Sequence, residues 1–130
     1  MCGIAGIMMR NGQAPERGVL DRLEVALEHR GPDFSGRFVS GDVALISTRL
    51  AIIDLDTGNQ PIIGPNDTVL VANGEIYNNP DLRKELQSCI FSTQSDCEPA
   101  IHLYDLMGLP SWQPSTIRTR CSLALSRETK

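Results

Sequence analysis

Gly36-Arg37-Phe38-Val39-Ser40-Gly41-Asp42-Val43-Ala44-Leu45-Ile46-Ser47-Thr48 is the stretch that decides the fold. Two runs, 36–40 and 43–48, are separated only by Gly41-Asp42. A two-residue loop opening on Gly joins antiparallel neighbours, so the stretch predicts a hairpin. Upstream, residues 3–9 form a short apolar run with Gly3 and Gly6 inside it. That suits a buried strand with close backbone neighbours. Between Arg17 and His29, the residues Leu20, Leu23, Ala26 and Leu27 recur at helical spacing and predict an amphipathic helix. Arg30-Gly31-Pro32-Asp33 ends it with a Gly-Pro break.

Downstream, residues 50–55 (Leu-Ala-Ile-Ile-Asp-Leu) read as a strand closed by the turn Asp56-Thr57-Gly58-Asn59. Residues 68–72 read as another strand. Asn73-Gly74 interrupts it, with a type I′ turn as the favoured reading. Asn79-Pro80 reads as an N-cap followed by Pro at the first helical position, opening a helix to about Cys89. Ser95-Asp96-Cys97-Glu98 fits a capping box, although Pro99 disturbs its register. A last helix is expected over 98–107, where Ala100, Leu103, Tyr104 and Met107 share a face. Strands dominate the first half and no βαβ rhythm appears, which predicts an antiparallel α+β fold.

With 130 residues the chain suits one domain, and 41% hydrophobic with 22% charged residues excludes disorder by composition. No apolar run approaches the roughly 18 residues of a membrane span, and no secretory signal is visible. A net charge of −4 argues against nucleic acid as a partner. The charge is uneven: residues 1–107 carry −7, while residues 108–130 carry +3. A cytoplasmic location is the expectation.

Four cysteines, Cys2, Cys89, Cys97 and Cys121, form no C-x-x-C pair, so zinc-ribbon and thioredoxin-type chemistry have no support. Cys89 and Cys97 read as small apolar residues in helical segments. Removal of Met1 exposes the α-amine of Cys2. With a reference pKa near 7.7–8.0, that amine can act as a base for the adjacent thiol. His29 and His102 lie in helical segments and read as structural rather than catalytic.

Six segments occur in order: Met1-Cys2-Gly3-Ile4-Ala5-Gly6-Ile7, His29-Arg30-Gly31-Pro32-Asp33, Arg49-Leu50-Ala51-Ile52-Ile53-Asp54-Leu55, Gln60-Pro61, Asn73-Gly74-Glu75-Ile76-Tyr77-Asn78 and Ser95-Asp96-Cys97-Glu98. Together they resemble the N-terminal glutaminase domain of glutamine-dependent asparagine synthetases. These are class II glutamine amidotransferases within the N-terminal-nucleophile (Ntn) hydrolases. The resemblance implies a four-layer α-β-β-α sandwich of two antiparallel sheets. It implies Cys2 as the nucleophile on the glutamine side-chain amide, with a thioester intermediate. Asn73 and Gly74 would form the oxyanion hole. Arg49 would hold the α-carboxylate of L-glutamine, and Glu75 and Asp96 its α-amino end, with Leu50, Ile52 and Ile53 as walls. The glutaminase half implies no metal and no cofactor. In the family, ATP and Mg²⁺ serve a separate synthetase domain that amidates aspartate with the released ammonia, and its pyrophosphate loop is not found in this sequence.

The resemblance covers about residues 1–108. From Leu109 the family's Gly-Met-Phe-Ala-Phe-Ala-Leu strand is replaced by a basic stretch, 109–130, read as a frameshifted or disordered non-family tail. The domain is therefore expected to be incomplete at its C-terminal end, and marginal in stability. Two alternatives stand beside the glutaminase: an inactive or partner-docking fragment, and another class II amidotransferase.

Overall fold

The computed structural model describes residues 2–52, 56–108 and 117–127. Its elements run β1 (Gly3–Met8), α1 (Arg17–Glu28), β2 (Phe34–Ser40), β3 (Val43–Arg49), β4 (Ile62–Ile63), β5 (Thr68–Ile76), α2 (Asn79–Glu85), α3 (Glu98–Met107) and β6 (Thr119–Arg127). Two antiparallel three-stranded sheets result, ordered β1-β3-β2 and β4-β5-β6. The α+β expectation holds.

The hairpin forms as read, with Ser40 paired to Val43 across Gly41, whose φ of 53° suits a residue without Cβ. β3 then becomes the central strand because β1 pairs along its other side, Gly3 opposite Thr48 and Met8 opposite Val43. Helix α1 lays Leu20, Leu23 and Leu27 over Ala5, Ile7, Ala44 and Ile46 on one face of this sheet. Gly3 is what lets the helix end come close, since a Cβ there would lie 2.7 Å from Thr48 Oγ1 and 3.1 Å from Leu27. The Thr48 hydroxyl donates to the Leu27 carbonyl at 3.0 Å, beside the Arg30 N–H that bonds the same oxygen at 2.9 Å, and so ties the end of α1 to β3.

Leu45 on β3 packs with Val69 and Val71 on β5, joined by Ile4, Phe38 and Val43, so an apolar cluster links the two sheets. The largest cluster lies where β4 and β5 meet α2 and α3: Ile62, Leu70, Ala72 and Ile76 against Leu82, Leu86, Ala100, Ile101 and Leu103. Burying such a side chain is worth about 1.5–3 kcal/mol, so this cluster fixes α3 and the loop before it.

Four local expectations are corrected. Residues 50–52 are not strand: the Ala51 N–H bonds to Asp33 Oδ2 at 2.8 Å instead of a ladder carbonyl, and the chain leaves the sheet at Arg49. Residues 53–55 of that expected strand lie outside the described residues. Asn73-Gly74 is no turn, because β5 continues through it, pairing Asn73 with Ser122 and Gly74 with Cys121. Gly74 has φ 147°, a conformation within a strand that side-chain-bearing residues rarely adopt. Helix α2 has Asn78 rather than Asn79 at its cap position and ends at Glu85, short of Cys89. The capping box is also absent. Ser95 Oγ accepts from Cys97 N–H at 3.3 Å, while the Glu98 carboxylate turns to Ser92 and Thr93.

Within the stretch read as a frameshifted or disordered tail, residues Thr119–Arg127 form β6. Its backbone pairs with β5 from Thr68 opposite Arg127 to Ile76 opposite Thr119. A central strand has hydrogen-bonding groups on both edges, and β6 covers the edge that β4 does not.

Candidate active site

Four separate segments converge at one end of the two sheets. The first is the start of β1. The Cys2 thiol donates a hydrogen bond to the Leu50 carbonyl at 3.8 Å, and Arg30 Nε donates to the Cys2 carbonyl at 3.2 Å. Arg30 reaches it because the chain after α1 runs hard against β3. A Cβ on Gly31 would lie 2.5 Å from the Arg49 backbone, so only Gly fits there. Asp33 N–H then donates to the Arg49 carbonyl at 3.0 Å. His29-Arg30-Gly31-Pro32-Asp33 therefore straps the end of β3 and reaches Cys2 from beneath.

The second segment is the end of β3 and the loop after it. Arg49 is only 5% exposed, and its Nη1 donates to Asn59 Oδ1 at 2.7 Å. Leu50 and Ile52 follow, with Ile52 strongly exposed.

The third is the end of β5. Along a strand, N–H groups alternate sides, so those of Ala72, Gly74 and Ile76 face one way. Tyr77 N–H bonds to the Arg118 carbonyl at 2.9 Å, which places the opposite set on the side of β6. On the other side, Ala72 N–H donates to Gln60 Oε1 at 2.6 Å and Ile76 N–H to Asp96 Oδ2 at 2.7 Å. Gly74 N–H lies between these two.

The fourth is the loop before α3, which carries Asp96. Arg83 secures it, donating from Nη2 to the carbonyls of Thr93 (3.1 Å) and Ser95 (2.8 Å) with its guanidinium 4.2 Å over the Phe91 ring. Glu98 secures it too, accepting the N–H and hydroxyl protons of Ser92 and Thr93. Burial pushes the Glu98 carboxyl up, but those hydrogen bonds outweigh it and hold the group below the usual carboxylate range.

A cavity of about 330 Å³ sits between the segments, lined by Cys2, Arg49, Leu50, Ile52, Asn73, Gly74, Glu75 and Asp96. Those are eight of the nine residues singled out in the sequence; the ninth, Ile53, lies outside the described residues. Gln60, which borders the same cavity, and Arg30 were quoted within motifs but given no role. Their signal was present as Gln60-Pro61 and Arg30-Gly31-Pro32, but those words read locally only as loop and helix break. His102 takes no part: it is buried on α3 with its ring edge-on to Phe91 at 4.7 Å.

A larger hollow of about 650 Å³ lies between α1 and β2. Its one cation, Arg37, is engaged by two carboxylates. Arg37 Nη2 donates to Asp21 at 2.7 Å and also pairs with Glu24, whose carboxyl the Ser35 hydroxyl holds below its ordinary range. It holds no thiol, so the smaller cavity is the candidate site.

Cys2, Arg49, Asn73 and Gly74 thus bring a thiol, a guanidinium, a side-chain amide and a glycine peptide to the lining of one cavity. Comparison with known proteins identifies the family. Residues 1–115 match the glutamine amidotransferase domain, and the chain belongs to that family. It is 45% identical over 112 residues to asparagine synthetase (glutamine-hydrolyzing) 1 of Arabidopsis thaliana, covering 84% of this chain and 19% of that protein. It is 46% identical over 111 residues to the asparagine synthetase (glutamine-hydrolyzing) of Sandersonia aurantiaca, covering 83% and 21%. A probable asparagine synthetase of Dictyostelium discoideum is 42% identical over 113 residues, covering 83% and 20%. The chain thus spans about a fifth of the length of these relatives. Among the described residues, no helix is long and apolar enough to cross a membrane.

Proposed function

We infer that this chain is the glutaminase part of an asparagine synthetase, converting L-glutamine to glutamate and ammonia through a thioester at Cys2. The observation that carries this reading is the meeting of Cys2, Arg49, Asn73, Gly74 and Asp96 around one cavity, from four segments distant in sequence. In this reading the helix and sheet clusters make up the four-layer α-β-β-α sandwich of the Ntn hydrolases.

With Met1 removed, the α-amine of Cys2 takes the thiol proton. The sulfur attacks the glutamine side-chain carbonyl carbon, and the carbonyl π electrons move to oxygen. Gly74 N–H and the Asn73 side-chain amide hold that oxyanion. As it collapses, the C–N bond breaks and the α-amine returns its proton to the leaving nitrogen, giving ammonia and the thioester. Water then attacks the thioester by the same route, releasing glutamate and restoring the thiol. Losing one oxyanion donor typically costs about 2.7–4 kcal/mol of transition-state stabilisation.

Arg49 binds the α-carboxylate through its planar guanidinium, and Asp96 and Glu75 take the α-ammonium. Leu50 and Ile52 wall the side chain. None of these steps calls on a metal or cofactor; ATP and Mg²⁺ belong to the synthetase domain to which the ammonia passes. That domain is the expected partner, in a cytoplasmic setting where the thiols stay reduced.

The test is release of glutamate from L-glutamine by the 130-residue chain. Arg49→Lys keeps the charge but loses the bidentate fork, and is expected to raise KM for glutamine at least about tenfold while changing kcat little. An inert wild-type chain with Met1 removed overturns the reading. A KM unchanged by Arg49→Lys removes Arg49 from it.

A further inference from the structure

Gln60 occupies a place in the site that no motif reading gave it. It is 8% exposed, and its backbone is wedged over the first sheet: a Cβ on Gly36 of β2 would lie 1.9 Å from the Gln60 carbonyl oxygen. Its side chain crosses to the second sheet, where Oε1 accepts Ala72 N–H at 2.6 Å and the Ser47 hydroxyl at 3.4 Å. Ser47 belongs to β3 and Ala72 to β5, so one amide oxygen ties the two sheets together beside the cavity.

The contact replaces a missing piece of ladder. β4 pairs only Ile62 with Leu70 and Ile63 with Val69, so it gives out before Ala72. From there to the end of β5, the N–H groups on this side meet no strand among the described residues. Gln60 takes the N–H of Ala72 and Asp96 takes that of Ile76, leaving the Gly74 N–H flanked by two fixed points. Gly74 itself, at φ 147°, has no side chain to hold its peptide in place.

We propose that Gln60 is a positioning residue for the oxyanion hole: by anchoring Ala72 it aims the Gly74 N–H and Asn73 at the developing oxyanion. This rests on the glutaminase reading above. Gln60 need not touch the substrate, because a donor displaced by about 1 Å already loses much of its effect on rate.

Gln60→Met keeps length and bulk and removes the acceptor. It is expected to lower kcat for glutamine hydrolysis about ten- to a hundredfold, with KM within about twofold. It also speeds amide hydrogen exchange at Ala72 while leaving Ile76 unchanged. A merely structural role would instead shift KM and loosen both positions together. If Gln60→Met does not fold, Gln60→Asn supplies the same comparison, since its amide falls one methylene short of Ala72. An active wild type whose kcat is unmoved by either variant overturns this proposal alone. A wild type without glutaminase activity overturns it together with the reading it rests on. Faster exchange at Ala72 with an unchanged kcat shows the anchor without the catalytic consequence, and also counts against it.

Discussion

Cys2→Ala is expected to abolish glutamine hydrolysis, with a loss of at least about 10³-fold, because it removes the attacking sulfur. Intact mass after exposure to a glutamine-mimicking diazoketone shows one adduct on the wild type and none on the variant. The comparison is informative because the chain has four cysteines, and among the described residues Cys97 borders the same cavity. Cys97 is buried, its thiol 3.8 Å from Asp96 Oδ1, whereas Cys2 is half-buried beside the Leu50 carbonyl. An adduct that persists in Cys2→Ala moves the reactive thiol away from Cys2, and labelling spread over several cysteines means that no glutamine-shaped cavity is formed. Arg30→Ala is a useful companion: it frees the Cys2 carbonyl without touching the thiol, and so separates presence of the nucleophile from its placement.

The elements legible in the sequence were those whose signal is local. Gly41-Asp42 between two β-prone runs specified the hairpin, and the Leu20, Leu23, Leu27 spacing specified the face of α1, because turn chemistry and helical period act over a few residues. The misreadings at 73–74, 98 and 51 share one physical cause: a polar group satisfied by a partner outside its own motif, at 73–74 and 51 one far along the chain. Asn73-Gly74 has the composition of a turn, but β6, more than forty residues on, holds it in a strand. Glu98 has the spacing of a capping box, but the N–H groups of Ser92 and Thr93 compete for it and win. Ala51 left the expected strand because Asp33, eighteen residues earlier, takes its N–H. The site residues were legible for a different reason. Each of their segments is ambiguous alone, and the order of all six resembled a known family. The supports beneath them, Arg30, Gln60 and Arg83, act by reaching main-chain groups, which leaves no pattern in their own neighbourhoods.

Glu98 is where stability and site geometry meet. Its side chain is 2% exposed and accepts four hydrogen bonds, from the N–H groups of Ser92 (2.6 Å) and Thr93 (2.7 Å) and from their hydroxyls (2.8 and 2.6 Å). Arg83 Nη2 stands 3.9 Å from one of its oxygens and His102 Nε2 3.7 Å from the other. Glu98→Gln replaces an all-acceptor carboxylate by an amide whose NH₂ must face donors. It is expected to cost about 3 kcal/mol at pH 7, in the range for disrupting a buried, hydrogen-bonded charge. Because the folded carboxyl titrates below its usual value near 4.5, its stabilisation is complete above that value and is lost as pH falls through the lower, folded one. Denaturant unfolding of the two proteins should therefore show a wide gap at pH 7 that narrows as pH falls below the usual carboxylate value and through the lower, folded one, where the wild type also becomes protonated. A gap of equal width across that range would mean that packing, not the charge, carries the contribution of Glu98. The variant should also bind glutamine more weakly, since residues 92–95 lead directly into Asp96 and would lose the carboxylate that gathers the N–H groups of Ser92 and Thr93. A raised KM at 25 °C in protein that is still fully folded separates this second effect from the first.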